Sequence, residues 1–331
     1  MTQAANVTYS LVVPIYNEEA VLPMLLHRLD RLLLQLDGPA EVILVDDGSS
    51  DISGLMASTR AQDDKRYRYV GLSRNFGHQI AITAGMDRAT GDAIIVMDAD
   101  LQDPPEVVLD MIAKWREGYE IVYAQRISRD GESFLKLATA RAFYRVLNKL
   151  AAVEIPENVG DFRLIDRRVL EAFKAMPERD RFVRGMFSWL GFRQTAVEIH
   201  REARAAGVTK YNWAKMMRLA TDGVIGFSDK PLRAALWLGV SVSALAILFG
   251  VYISILAVFS SALVPGWASL AVLTSFLAGM NLMTIGVVGL YVGRIHNEVK
   301  QRPLYVVGRE IGFAQATAAM PAGRRATRKS A

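Results

Sequence analysis

The sequence AIIVMDADLQDPPE, residues 93–106, joins an apolar run to a cluster of aspartates. The run is typical of a buried β-strand, and Asp98, Asp100 and Asp103 follow where it ends. Carboxylates this close together repel one another unless a cation binds between them, and hard oxygen ligands suit Mg²⁺ or Mn²⁺. The stretch therefore predicts a divalent metal at the carboxyl end of a strand, with open positions for the phosphates of a nucleotide sugar. A solvated acidic loop is the alternative interpretation.

Similar apolar runs recur along the first part of the chain and alternate with helical patterns. The strand-like runs are residues 10–13, 41–45, 67–72, 93–97 and 120–124. The helical patterns between them include residues 19–36, 78–88 and 105–116. This alternation predicts an α/β domain with a largely parallel sheet that is covered by helices on both faces.

Polar clusters follow three of the predicted strands, at residues 14–18 (PIYNE), 46–51 (DDGSSD) and 98–100 (DAD). Parallel sheets bind ligands beyond the carboxyl ends of their strands, so we expect the three clusters to meet at one edge. No GxGxxG motif follows the first strand and the chain has no P-loop, which disfavours a dinucleotide-binding domain and a P-loop NTPase. Metal and side chains are therefore expected to bind the phosphates.

The segment 234–293 contains no charged residue, in a chain whose composition is 51% hydrophobic. A break rich in serine, proline and glycine, residues 260–266, divides it into two runs, each long enough to cross the roughly 30 Å hydrocarbon core of a bilayer. This pattern predicts a transmembrane hairpin over residues 231–295, with spans near 234–259 and 267–293. A pair of buried core helices is the alternative.

Basic residues flank this apolar segment on both sides. Lys230 and Arg233 precede the first span, and Arg294 and Lys300 follow the second. The positive-inside rule then predicts a multi-pass protein of the cytoplasmic (inner) membrane, with both termini and the domain 1–230 on the cytosolic side. The absence of a signal-type segment and of cysteines agrees with this location.

The net charge of +5 is concentrated after the second span, where residues 293–331 hold eight basic and two acidic side chains. We interpret residues 296–331 as a basic cytosolic tail that favours anionic lipid headgroups. The chain shows no recognised nucleic-acid motif and no interleaving of aromatic and basic residues, so no nucleic-acid partner is expected.

Two segments within the predicted domain are amphipathic, residues 134–150 and 208–228. The first places Phe134 and Leu147 on one helical face and Arg141 on another. We interpret both either as helices that lie in the membrane interface or as helices packed on the domain.

Seven motifs follow one another before the hairpin: VVPIYNEE (12–19), VDDGSSD (45–51), LSRNFGH (72–78), MDADLQDPPE (97–106), GDFRLIDRRV (160–169), RFVRGMFSWLGF (181–192) and REARAAGVTKY (201–211). In order and length they resemble the GT-A-fold glycosyltransferases of family 2. Within that family they are most similar to polyprenyl-phosphate glycosyltransferases related to dolichol-phosphate mannose synthase and bactoprenol glucosyltransferase. The resemblance covers residues 8–305 and implies a Rossmann-like GT-A domain that binds a nucleotide sugar.

The resemblance also implies roles for individual residues. The implied contacts to the nucleotide sugar are Pro14, Tyr16, Asn17, Glu18, Asp46, Asp47, Asp98 and Gln102. The implied ligands of Mg²⁺ or Mn²⁺ are Asp98, Asp100 and Gln102. The implied catalytic carboxylates are Asp161 and Asp100. The implied cations for an acceptor phosphate are Arg126, Lys136, Arg141 and Arg201.

Simpler interpretations of these residues remain open. Asp47, with Gly48 and Ser49 after it, is also typical of a tight turn. Asp161 is also explained as a helix or turn cap paired with Arg163. An arginine on an amphipathic helix more often faces solvent or lipid headgroups than a ligand.

The implied reaction is attack by the phosphate of polyprenyl (undecaprenyl) phosphate on the anomeric carbon of a nucleotide sugar, with inversion at that carbon. UDP-glucose is the first choice of donor, and UDP-GlcNAc, UDP-4-amino-4-deoxy-arabinose and GDP-mannose stay open. Processive polysaccharide synthases are disfavoured because the chain has no QxxRW motif. A non-catalytic, membrane-bound nucleotide-sugar sensor or scaffold is the alternative of a different class. The lipid chain length, the downstream pathway and assembly into a homo-oligomer stay open.

Overall fold

The computed structural model describes residues 8–126, 159–179, 181–199, 230–259 and 266–313. It divides into two compact units: unit 1 is Met1–Asp100 with Tyr305–Ala331, and unit 2 is Leu101–Leu304. The segments 134–150 and 208–228, predicted to be amphipathic helices, lie outside the described residues.

The elements of secondary structure follow in chain order. The strands are β1 (Tyr9–Ile15), β2 (Ala40–Asp46), β3 (Tyr67–Leu72), β4 (Ala93–Val96), β5 (Ile121–Arg126), β6 (Val159–Asp166), β7 (Gln194–Ile199) and β8 (Val307–Ile311). The helices are α1 (Leu22–Leu33), α2 (Ser53–Asp63), α3 (His78–Met86), α4 (Val107–Arg116), α5 (Arg167–Lys174), α6 (Val183–Trp189), α7 (Lys230–Phe259) and α8 (Trp267–Val299). The five predicted strands and three predicted helices in the first part of the chain are therefore confirmed, with small shifts at their ends.

Unit 1 contains strands in the order β4-β1-β2-β3-β8, of which the first four are parallel. The register places Val12 of β1 opposite Ile43 of β2 and Val96 of β4, and all three side chains are buried. Helix α3 packs on β1 and β2, and α2 packs on β3. Burial of continuous apolar runs between layers is the expected basis of a parallel sheet, so the predicted α/β architecture is confirmed in unit 1.

Strand β1 is longer than predicted, and this moves Pro14 out of the polar loop. Pro14 is a buried strand residue opposite Val45 of β2, and the exposed loop begins at Tyr16. A residue without an N–H fits here because the pairing of β1 with β4 already ends at Val12. The expectation that Pro14 opens the polar loop is therefore wrong.

Strand β8 is an element that the sequence pattern did not predict. It pairs antiparallel with β3 and places Ile311 opposite Tyr69. The Arg88 guanidinium bonds to the Glu310 carboxylate (2.5 Å), and the Tyr305 hydroxyl donates to Asp87 (2.8 Å). The chain after α8 therefore returns to unit 1 and adds the last strand to its sheet, whereas only a basic tail was predicted for this segment.

Unit 2 contains a smaller mixed sheet in the order β7-β5-β6. Strand β5 is antiparallel to β6 and parallel to β7, and α4 packs against all three. Strand β6 is buried along most of its length even though it carries Asp161 and Arg163. Charged residues at buried positions hide the apolar pattern of a strand, which explains why β6 was not predicted.

Helices α7 and α8 are both long and apolar. At 1.5 Å per residue their 30 and 33 residues span about 45 and 50 Å. By length and composition, Leu232–Phe249 and Phe276–Val299 are each sufficient to cross a membrane. The two helices pack on each other, and large apolar side chains such as Trp237 and Ile285 are exposed. The two predicted spans are therefore helical, while their insertion in a bilayer stays a prediction.

Candidate active site

The loops that follow β1 and β2 are hydrogen-bonded to each other. The backbone N–H of Asn17 donates to the Ser49 hydroxyl (3.0 Å), and the backbone N–H of Ser50 donates to the Asn17 side-chain oxygen (2.8 Å). The backbone N–H of Glu18 donates to the Ser53 hydroxyl (2.9 Å). Asn17 has a φ of 53°, a left-handed conformation that asparagine adopts more readily than most residues. The prediction that the first two polar clusters meet is therefore confirmed.

Asp47 connects the second loop to the loop that follows β3. Its buried carboxylate accepts hydrogen bonds from the backbone N–H groups of Phe76 (2.7 Å) and Gly77 (2.9 Å). Burial raises the pKa of Asp47, and the two backbone hydrogen bonds oppose this effect because they stabilise the ionised form. The carboxylate thus holds a loop 29 residues further along the chain, which turn chemistry alone does not explain.

The turn itself depends on the neighbours of Asp47. The Asp46 carboxylate accepts from the backbone N–H of Ser49 (2.9 Å) and from the Tyr69 hydroxyl (3.1 Å). Gly48 has a φ of 67°, and a Cβ at this position would lie 2.5 Å from the backbone carbonyl carbon of Arg74. Only glycine fits this close approach, so the two loops are fixed against each other.

His78 is a site residue to which sequence reasoning gave no role, although it ends the motif LSRNFGH. It is the first residue of α3, directly after the backbone groups that Asp47 holds. Its Nε2 atom lies 3.3 Å from Oδ1 of Asp98, which follows β4. The predicted convergence of the third cluster is therefore confirmed through the loop after β3.

A divalent cation fits the chemistry of this pair. Oδ1 of Asp98 is buried and receives no hydrogen bond from any of the residues that the structure describes, while the side chain as a whole is 26% exposed. A buried carboxylate oxygen without a donor costs free energy unless a cation lies beside it. Carboxylate and imidazole groups are both common ligands of divalent metals. Asp100 is half-buried two residues further on, at the end of unit 1.

Asp161, the predicted catalytic carboxylate, lies in β6 of unit 2. Its side chain is 4% exposed and forms a two-point ion pair with Arg184, which lies in the first turn of α6. The Nε–Oδ1 distance is 2.7 Å and the Nη2–Oδ2 distance is 3.0 Å. Sequence reasoning missed Arg184, although the motif RFVRGMFSWLGF contains it; an arginine among apolar residues was the available signal.

Arg163 was the partner that the sequence suggested for Asp161, and this is wrong. Its guanidinium donates to the backbone oxygens of Gly160 (3.0 Å) and Asp161 (3.4 Å) and lies over the Phe187 ring, 5.0 Å from the centroid. Burial lowers the pKa of Arg163 to about 10. Asp161 is a strand residue rather than a cap, so the capping alternative is also wrong; the cap of α5 is Asp166, which accepts from the backbone N–H of Arg168 (2.8 Å).

Of the remaining predicted site residues, some lie among the described residues and others lie outside them. Tyr16 is 40% exposed beside the first loop, and Gln102 is half-buried in unit 2. Arg126 is the last residue of β5, opposite Ile199 of β7. Lys136, Arg141 and Arg201 lie outside the described residues, so the acceptor-phosphate cations stay a prediction.

Comparison with known proteins identifies relatives of the whole chain. The family model for "Glycosyl transferase family 2" matches residues 10–173. The "Uncharacterized glycosyltransferase YkcC" of Bacillus subtilis is 47% identical, over 93% of this chain and 95% of that protein. The "SfII prophage-derived bactoprenol glucosyl transferase" of Shigella flexneri is 40% identical, over 90% of this chain and 96% of that protein.

A solved structure also resembles the fold. The mannosyltransferase PcManGT from Pyrobaculum calidifontis, in complex with GDP-Man and Mn²⁺, aligns with a TM-score of 0.44 and 19% identity, over 90% of this chain and 89% of that one. Family assignment does not depend on this likeness, because the family match covers most of the parallel strands, their polar loops and Asp161, and the sequence relatives extend over nearly the whole chain. The chain therefore belongs to glycosyl transferase family 2 and is a glycosyltransferase with a GT-A-like α/β fold.

Proposed function

We propose that the chain transfers a sugar from a nucleotide sugar to the phosphate of a polyprenyl phosphate at the cytosolic face of a membrane. The observation that carries the proposal is the polar edge of unit 1, where Asp98 and His78 lie 3.3 Å apart and hydrogen-bonded loops follow β1, β2 and β3. Such an edge is the usual ligand-binding position of a parallel sheet. The 40% identity to bactoprenol glucosyl transferases supports the lipid acceptor.

The donor half of the proposal uses the acidic groups of this edge. Asp98 and Asp100, with Gln102, would hold Mg²⁺ or Mn²⁺, and the ion when bound would act as a Lewis acid on the diphosphate leaving group. The side chains of Tyr16, Asn17 and Glu18, with Asp46 and Asp47, would bind the nucleotide or fix the loops that do so. We propose UDP-glucose as donor, and UDP-GlcNAc, UDP-4-amino-4-deoxy-arabinose and GDP-mannose are the alternatives to test.

The acceptor half requires little proton chemistry. A phosphate monoester has a second pKa near ~6, so the acceptor is already largely dianionic at neutral pH. Its oxygen attacks the anomeric carbon, the bond from that carbon to the nucleoside diphosphate breaks, and a single displacement inverts the centre. Asp161 would orient the acceptor, and Arg126, Lys136, Arg141 and Arg201 would supply charge-assisted hydrogen bonds to its phosphate.

The proposed location at a membrane depends on helices α7 and α8. We propose that residues 231–295 form a transmembrane hairpin that holds the catalytic domain, residues 1–230, at the bilayer surface. Both termini would lie in the cytosol, and residues 296–331, which include β8, would follow the second span. A polyprenyl tail would then stay in the bilayer while its phosphate reaches the site from the headgroup layer.

A donor panel tests the proposal. Purified full-length protein is incubated with polyprenyl phosphate, Mg²⁺ or Mn²⁺ and labelled UDP- or GDP-sugars, and label in solvent-extractable lipid is counted. We expect label from one donor, abolished by EDTA and by Asp98→Ala with Asp100→Ala. Metal-dependent nucleotide binding with no label in lipid from any donor would instead favour a sensor or scaffold.

A further inference from the structure

We propose that Arg184 is a positioning residue for transfer: it fixes the orientation of the Asp161 carboxylate. This inference rests on the proposed function, since it assigns a partner to the carboxylate expected to act on the acceptor. Arg184 lies 23 residues after Asp161 and on a different element, so its placement depends on the fold of unit 2.

Arg184 and Asp161 form a bidentate ion pair. Two nitrogens of one guanidinium, Nε and Nη2, contact the two oxygens of Asp161 at 2.7 and 3.0 Å. A planar guanidinium bound at two points fixes the plane of the carboxylate, whereas a single contact would leave it free to rotate about its last bond. Arg184 therefore determines which way each oxygen of Asp161 points.

Burial makes this partner necessary. The Asp161 side chain is 4% exposed, so water provides little stabilisation for its negative charge. The Arg184 guanidinium, at two hydrogen-bond distances, offsets that loss. If Arg184 is replaced by a neutral residue, Asp161 is left as a buried charge that has lost its salt bridge.

The structural support of β6 is provided by a different arginine. Arg163 is buried, donates to the backbone oxygen of Gly160 and lies over the Phe187 ring. Arg184 in contrast is 26% exposed, and it donates both of its hydrogen bonds with Asp161 to the side-chain carboxylate. The two arginines thus have different tasks: Arg163 holds the strand, and Arg184 holds the carboxylate.

A double-mutant cycle separates positioning from folding. Arg184→Gln, Asp161→Asn and the double variant are compared for transfer rate and for binding of the nucleoside diphosphate. We expect Arg184→Gln to lower kcat by about 10- to 100-fold, the range found for groups that orient a functional side chain, with nucleotide affinity changed by less than about twofold. In the Asp161→Asn background, Arg184→Gln should cause no further loss of kcat, because the proposed positioning role acts through that carboxylate.

Two further variants keep the test falsifiable if Arg184→Gln folds poorly. Arg184→Lys retains the charge but offers a single ammonium instead of a fork, and we expect it to recover part of the lost kcat. Arg167→Gln, which removes a surface i,i+4 pair with Glu171, is the matched control and should retain wild-type kcat.

The outcomes distinguish this inference from the proposed function. If the double variant loses kcat by the product of the two single-variant factors, the positioning role of Arg184 is overturned. The proposed transfer to a lipid is then unaffected. The same holds for an Arg184→Gln variant that raises the donor KM at unchanged kcat. Wild-type protein that transfers sugar to no lipid would overturn the proposed function, and the role of Arg184 with it.

Discussion

The carboxylates of unit 1 and of unit 2 are held by different kinds of partner. In unit 1, Asp46 and Asp47 accept hydrogen bonds from backbone N–H groups and a tyrosine hydroxyl. In unit 2, the Asp161 carboxylate is held at two points by the Arg184 guanidinium. A buried arginine, Arg163, lies two residues after Asp161 in the same strand. The first arrangement uses neutral donors, and the second uses a cation.

This difference determines which ligand each region attracts. Neutral donors satisfy the hydrogen bonds of a carboxylate without cancelling its charge, so the edge of unit 1 stays negative and favours a divalent cation. In unit 2, the Arg184 guanidinium neutralises the Asp161 carboxylate, so this ion pair adds no net charge of its own. Two carboxylate sites of similar burial are therefore expected to serve opposite halves of one reaction.

The largest effect is expected when the charge of the unit 1 edge is removed. Asp98→Ala with Asp100→Ala should lower the transfer rate by at least about 10³-fold, because a catalytic metal contributes several kcal/mol to transition-state stabilisation. Single-turnover transfer and metal-dependent nucleotide binding measure this directly. Asp63→Ala, at the exposed end of α2, is the control; a comparable loss there would contradict the assignment.

A second prediction concerns the packing of the loops in unit 1. Gly48→Ala should destabilise the protein by about 2–4 kcal/mol, because alanine is strained at positive φ and its Cβ would clash with the Arg74 backbone. Gly191→Ala isolates the strain, since Gly191 has a φ of 71° with nothing within 4 Å of an added Cβ. Its expected cost is about 1–2 kcal/mol. Thermal unfolding in detergent compares the two variants, and equal losses would argue that the loop contact is unimportant.

A third prediction uses the pKa of Asp47. At neutral pH, Asp47→Asn should lower the free energy of unfolding by about 1–3 kcal/mol, because the amide nitrogen of Asn then faces a backbone N–H. Since burial raises the pKa of Asp47, the folded protein binds this proton more tightly than the unfolded chain does. This stabilisation is fully present below the unfolded value of 3.8 and is lost as pH rises through the folded pKa.

The difference in unfolding free energy between the wild type and Asp47→Asn should therefore become smaller as pH rises above about 4. Unfolding midpoints of both proteins measured across that pH range test the sign. An advantage that grows with pH would show that the backbone hydrogen bonds to Phe76 and Gly77 outweigh burial.

The smallest effect is expected at the far edge of unit 1, where an arginine and a carboxylate pair in partial contact with water. Glu310→Gln removes the ion pair between β8 and Arg88. The side chain of Glu310 is 38% exposed and that of Arg88 is 20% exposed. The expected cost of the substitution is below about 1 kcal/mol, the usual range for exposed pairs, so the midpoint should hardly change. A large loss would mean that β8 is essential to unit 1.

The unit 1 edge could be predicted from the sequence because its information is local. Strands β1 to β4 are continuous apolar runs, and each polar cluster follows its strand directly, so the topology of parallel strands brings the clusters together. The motif LSRNFGH contained the third loop, but the link from Asp47 to Phe76 and Gly77 is made by backbone groups, which no side-chain pattern reveals.

Unit 2 was less predictable because its contacts join distant residues. Asp161 and Arg184 are separated by α5, and nothing in their spacing indicates an ion pair. Strand β6 carries buried charges that interrupt the apolar pattern, and β8 is a short strand that pairs with β3. These elements depend on tertiary pairing, which overrides local propensity.

The division of tasks between the two carboxylate regions is tested most directly by measuring nucleotide binding and sugar transfer on the same preparations of Asp98→Asn and Asp161→Asn. We expect Asp98→Asn to weaken metal-dependent binding of the nucleoside diphosphate and to lose transfer. Asp161→Asn should bind the nucleotide as the wild type does and lose only transfer. If Asp161→Asn instead weakens nucleotide binding as much as Asp98→Asn does, or keeps wild-type transfer with the acceptor at saturation, the two regions do not serve separate halves of the reaction.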